Sequence, residues 1–201
     1  RIFDELLKFL LGGCAENSLL ALQQHALLPY VLPSLAEQDK LQDNNGFVRQ
    51  ALRNTDARIS AGKPVSASFT LATLLWDSVR ETGKINLQNG QKPQEALSNA
   101  IHFSLKNQQK SLPIPRRYST NMIEIWLMQP RFLARSGKRP LRLLTHERFR
   151  AGYDFLCLRA ETGEIDTDIA TWWEAFQVAE GDNERLQMLE TESPPVKKRK
   201  R

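Results

Sequence analysis

The sequence predicts an all-α protein, and three observations carry that prediction. Apolar residues recur roughly every three to four positions through most of the chain, glycine and proline fall mainly between the periodic segments, and no segment alternates apolar and polar residues as a half-buried strand does. The 201 residues, 41% hydrophobic and 25% charged, suffice for a sizeable core plus a tail. No apolar run approaches the ~18 residues of a membrane span, so no membrane partner is expected.

The helices follow in order. Ile2, Phe3, Leu6, Leu7 and Leu10 form one apolar stripe, which Gly12 and Gly13 stop because glycine takes the left-handed terminal conformation without a Cβ penalty. A second helix is predicted over Asn17 to Ala26 and a short third one between Pro29 and Pro33, and Leu41 to Gly46 reads as an asparagine-rich turn. Phe47, Val48, Ala51, Leu52, Thr55 and Ile59 line a helix ending at Gly62 and Pro64. Phe69 to Val79 is apolar nearly all round, which predicts the central buried helix. Lys84 to Lys92 reads as a polar loop, after which Pro93 opens a helix carrying Ala96, Leu97, Ala100 and Ile101.

Tyr118, Met122, Ile125 and Trp126 share one helical face, with Arg116 and Arg117 at its entrance, and Pro130 is expected to kink or restart the helix. Ser136 to Pro140 reads as a basic turn. Phe149, Tyr153, Leu156, Cys157 and Ala160 line a further helix, and Ile169, Trp172, Trp173 and Phe176 close the core. From about Glu180 the chain turns polar and acidic, then ends after Pro194 and Pro195 in Lys197, Lys198, Arg199, Lys200 and Arg201, so a disordered basic tail is expected. Three regions result: 1–112, an arginine-rich helical region 113–179, and the tail 180–201.

The inventory argues against catalysis. His25, His102 and His146 lie on separate helices without partners at metal spacing, and no Gly-rich phosphate loop occurs. Asp166-Thr167-Asp168 could hold Mg²⁺ if a strand aimed both carboxylates to one side, but the segment precedes a helix, and Asp168 or Thr167 is expected to cap it. No catalytic residue, metal ligand or cofactor site is predicted. Cys14 and Cys157 read as reduced, buried thiols of a cytoplasmic protein.

Charge is where the sequence points to a partner. Between Lys110 and Arg159 eleven Lys or Arg face three acids, a local excess of +8 against +5 for the whole chain. Positive charge concentrated in this way suits a polyanion, and arginine forks suit phosphate. The candidate contacts are Arg116, Arg117, Lys138, Arg139 and Arg142, joined by Lys197, Lys198, Arg199, Lys200 and Arg201. Trp76, Trp126, Trp172 and Trp173 sit on apolar stripes and are expected in the core instead of under bases. The terminal run after Pro-Pro is also compatible with a nuclear targeting signal, as on a non-enzymatic helical nucleic-acid-binding protein.

Several runs resemble a known family: Phe3-Asp4-Glu5-Leu6-Leu7-Lys8, Leu52 to Ile59, Ile125-Trp126-Leu127-Met128-Gln129-Pro130-Arg131-Phe132, Arg148 to Leu156, and Trp172-Trp173-Glu174-Ala175-Phe176-Gln177. In order and over essentially the whole chain, they are similar to the bacterial poly(A) polymerases, class II nucleotidyltransferases related to the CCA-adding tRNA enzymes. The resemblance implies a helical neck, body and leg array that handles RNA 3′ ends. AMP addition from ATP with Mg²⁺ would take place in an N-terminal head missing from this chain, and the RNA-decay machinery is an implied partner. A CCA-adding body is the alternative within the superfamily, because the two differ in the head.

Overall fold

The computed structural model describes residues 1–179 and 182–191, and every regular element among them is helical, as expected. Lys197 to Arg201 lie outside the described residues. The chain divides into two compact units, Arg1–Leu127 and Met128–Arg201. The division falls within one helix, while the change of charge density in the sequence comes near residue 113.

The first unit holds α1 (Ile2–Leu11), α2 (Ala15–Gln24), α3 (Leu28–Val31), α4 (Pro33–Glu37), α5 (Phe47–Ser60), α6 (Ala67–Gln88), α7 (Pro93–Ser111) and α8 (Arg116–Phe132) as far as Leu127. α1 buries Phe3, Leu6 and Leu10 and stops at Gly12, and Gly13 turns the chain at a φ of +84°. Two short helices replace the single one expected around Pro29 and Pro33, because each proline occupies a first turn, where its missing N–H leaves nothing unpaired.

α2 has no side-chain cap from its own N-cap residue, Cys14. The cap arrives from α5: the Asp56 carboxylate accepts the backbone N–H groups of Ala15 at 2.7 Å and Glu16 at 3.1 Å. Glu16 in turn receives Arg49 and Arg53 from α5. This remote cap starts α2 two residues before the predicted Asn17.

α6 is the buried centre of the first unit, with Leu71, Ala72, Leu74, Leu75, Trp76 and Val79 all enclosed. Ser66 caps it by accepting the Phe69 N–H. Lys84 to Lys92 is not the loop expected, since α6 runs on to Gln88. An i,i+3 pair of Lys84 with Glu81 supports the extension on the exposed side, and Asn86 donates to the Ala96 carbonyl at 3.0 Å. α7 packs along α6, where Ser78 and Ser104 share a buried 2.8 Å hydrogen bond. Trp126 is fully enclosed and donates its indole N–H to the Ala72 carbonyl at 3.2 Å.

The second unit contains the end of α8, α9 (Arg139–Leu144), α10 (Phe149–Glu161), α11 (Thr167–Val178) and α12 (Asp182–Thr191). α8 passes through Pro130 without the expected restart, because the proline falls in its last turn. The basic turn is shorter than predicted: Gly137, at a φ of +66°, turns the chain, and α9 begins at Arg139 with Pro140 in its first turn. Phe132, Phe149, Trp173 and Phe176 form an aromatic core in which Phe132 and Trp173 meet edge to face, 5.1 Å between centroids. The Trp173 indole donates to the Phe132 carbonyl at 2.8 Å.

Three expectations are corrected here. Asp166 caps α11 by accepting the Asp168 N–H at 3.0 Å, while Thr167 and Asp168 are already its first helical residues. The region from Glu180 is not wholly without structure, because Asp182–Thr191 forms α12, whose Leu189 is buried in the aromatic core. Cys14 is exposed and only Cys157 is partly buried, so the two thiols do not share the enclosed character expected of them.

Candidate nucleic-acid interface

The structure sorts the arginine-rich segment into structural cations and available ones. Arg159 is structural: its guanidinium meets Glu164 at 2.9 Å and the Gln129 side-chain carbonyl at 3.2 Å, and Gln129 donates onward to the Gly152 carbonyl at 3.1 Å. Arg150 pairs with Asp154 at 3.0 Å, and Arg148 reaches Glu147 at 3.6 Å. Arg135 lies over the Trp172 ring at 5.7 Å, which leaves Trp172 half-buried, whereas Trp76, Trp126 and Trp173 are in the core as predicted.

Arg116, Arg117, Arg131, Lys138, Arg139 and Arg142 remain exposed, and none of them forms a salt bridge among the described residues. Arg116 and Arg117 open α8 in the first unit. Arg117 covers the Tyr118 ring at 4.8 Å, and Tyr118 packs against Phe3 of α1. A guanidinium fixed over a ring but free along its outer edge keeps its donors for a phosphate.

Lys138, the N-cap residue of α9, and Arg142 are one helical turn apart, and both line a cavity of about 550 Å³ in the second unit. Leu141 and Thr145 belong to the same face, and Leu186 and Leu189 of α12 supply the opposite wall. Arg139 does not line the cavity, so the structure brings together two of the three predicted α9 cations. Sequence reasoning left out exposed Arg131 and missed the leucine wall. The spacing of Leu186 and Leu189 at i and i+3 was the available signal for the wall, hidden within a polar, acidic stretch.

Behind this face Tyr153 donates to the Ala170 carbonyl at 3.4 Å. Burial, reinforced by the neighbouring Cys157 thiol, pushes the Tyr153 phenol well above its ordinary range, and burial likewise pushes the Cys157 thiol up. Both are neutral at physiological pH and add no negative charge to the basic surface. Among the described residues no group of three or more His, Cys, Asp or Glu side chains is placed to hold a metal ion. No described helix is long and apolar enough to cross a membrane.

Residues 89–201 match the family described as "Polymerase A arginine-rich C-terminus", which accounts for more than half of the chain. The chain belongs to the bacterial poly(A) polymerase family. Residues 1–39 match a second family description, "Probable RNA and SrmB-binding site of polymerase A". Poly(A) polymerase I of Escherichia coli O6:H1 is 32% identical over 210 residues, covering 100% of this chain and 44% of the relative. The Haemophilus influenzae protein of the same name is 30% identical and covers 94% of this chain, and that of Salmonella typhimurium is 31% identical and covers 100%. The chain thus spans less than half the length of these relatives, corresponding to the C-terminal part of the family.

Proposed function

We propose that this chain is the RNA-holding C-terminal region of a poly(A) polymerase that adds AMP from ATP to RNA 3′ ends, in the cytoplasm, and so promotes RNA decay. The observation that carries this reading is a set of exposed cations that form no salt bridge among the described residues: Arg116 and Arg117 opening α8, and Lys138, Arg139 and Arg142 at α9. They lie in a chain whose family descriptions name an arginine-rich C-terminus and an RNA-binding segment. Guanidinium and ammonium groups without internal counter-charge release bound counterions when they meet phosphates, and that release drives binding.

ATP and Mg²⁺ are assigned to a catalytic head, and the described residues of this chain offer no cluster that would hold the metal. The role of this chain is to grip and orient RNA, with the terminal Lys197, Lys198, Arg199, Lys200 and Arg201 adding non-specific affinity. RNA-decay proteins are the partner class that such a region would meet.

Binding of this chain to a single-stranded RNA with a free 3′ end and to a tRNA, across a salt series and beside an ATP incorporation assay, tests the proposal. Steep salt dependence without incorporation supports it. Replacing Lys138 and Arg142 together by glutamine is expected to lower the salt slope by about 0.7, the loss of the one phosphate contact that the two cations share on a single strand. Absence of binding at low salt would overturn the reading.

A further inference from the structure

We infer that the cavity between α9 and α12 takes a single nucleotide of the bound RNA, its base between leucine walls and its phosphate on Lys138 and Arg142. This rests on the RNA-binding reading above and deepens it, because phosphate contact alone does not require a cavity. The volume, about 550 Å³, lies within the range of sites that enclose small ligands. The chemistry of the lining is divided. Leu141, Leu186 and Leu189 make it apolar, and Lys138 at the N-cap of α9 and Arg142 within it line the cavity beside Leu141.

That division matches the two ends of a nucleotide. A base has flat apolar faces and loses little by leaving water for leucine methyls, while its phosphate needs fixed positive charge. Lys138 supplies a mobile point charge and Arg142 a planar fork, one helical turn apart. Neither forms a salt bridge among the described residues, so both keep their charge for a phosphate. An acidic amphipathic peptide shares the charge complementarity but needs a row of apolar sockets, and the described lining groups its three leucines at one place.

Leu186 is the side chain to change, because it is 48% exposed and its loss leaves the core intact. Leu186→Gln alters the wall without altering charge. The probe is an oligoadenylate compared with an abasic oligomer of the same length, which keeps every phosphate and lacks every base. Wild-type chain is expected to prefer the oligoadenylate by about tenfold, equivalent to about 1.4 kcal/mol. Leu186→Gln is expected to abolish that preference while its salt slope stays at the wild-type value. A 2-aminopurine placed in the oligoadenylate gives a second readout, with emission changing on wild-type chain and unchanged on Leu186→Gln.

Failure of this inference and failure of the RNA-binding reading are distinguishable. Equal, salt-dependent binding of both oligomers by the wild-type chain would overturn the nucleotide site and leave the phosphate-binding reading standing. Equal binding accompanied by displacement with a synthetic acidic amphipathic helix would assign the cavity to a protein and overturn it too. If neither oligomer binds at low salt, both readings fall.

Discussion

Gly152→Ala should destabilise the second unit, although alanine is the better helix former. Gly152 lies inside α10, where an open position would gain about 1 kcal/mol from the replacement. Here the new Cβ would collide with the Met128 sulfur and stand 3.3 Å from the edge of the Phe132 ring. Met128 and Phe132 are both enclosed, and Phe132 is held in turn by Phe149 and Trp173, so the sulfur must move within a filled core. Overpacking of this kind costs about 1–3 kcal/mol, so the net effect is a loss of about 1 kcal/mol. The shift would also disturb the Gly152 carbonyl that holds Gln129, and through it Arg159. Urea unfolding followed by tryptophan emission measures the effect, since Trp172 and Trp173 both belong to this cluster. Met128→Ala should cost less in the Gly152→Ala background than in wild type, with a coupling of about 1–2 kcal/mol. A Gly152→Ala chain stabilised by about 1 kcal/mol, or strict additivity of the two substitutions, would refute the packing argument.

Trp173→Phe removes the donor to the Phe132 carbonyl and is expected to cost about 1–3 kcal/mol, whereas Trp172→Phe at the half-buried neighbour should cost less than about 1 kcal/mol; equal losses in denaturant midpoint would contradict that difference. Stability should also fall in alkali. Tyr153 and Cys157 hold their protons more tightly folded than unfolded, so their contribution is complete below the ordinary values of 10.0 and 9.0 and is lost as pH rises above them, by at most ~1.4 kcal/mol per pH unit for each group. Tyr153→Phe should flatten the decline above pH 10, and an unchanged pH profile in that variant would remove the phenol from the account.

The fold was legible wherever apolar spacing alone decides burial. The stripe of α5, the enclosed run of α6, Phe149 and Tyr153 of α10, and Trp173 and Phe176 of α11 sit where their periodicity placed them, while Trp172 is only half-buried. Features set by distant partners were not legible. The start of α2 depends on Asp56, forty residues away, and the extension of α6 past Lys84 depends on a contact with Ala96. The charge excess between Lys110 and Arg159 overstated the available cations for a similar reason. Glu164 neutralises Arg159 from just beyond that segment, and Arg135 covers an indole. Lys138 and Arg142 were legible as cations, but not as the rim of a cavity, because the opposite wall comes from a helix whose composition resembles a tail.

The carboxylate of Asp56 has a consequence for how the first unit assembles. Because α2 lacks a side-chain cap at Cys14, its first turn closes only once α5 has delivered Asp56, together with Arg49 and Arg53 for Glu16. Nucleating a ten-residue helix alone is unfavourable, so α2 gains its order late and from outside itself. A peptide ending before Phe47 would therefore leave α2 frayed. A chain emerging during synthesis would pass through a stage in which the segment from Ala15 waits for residues still to be made.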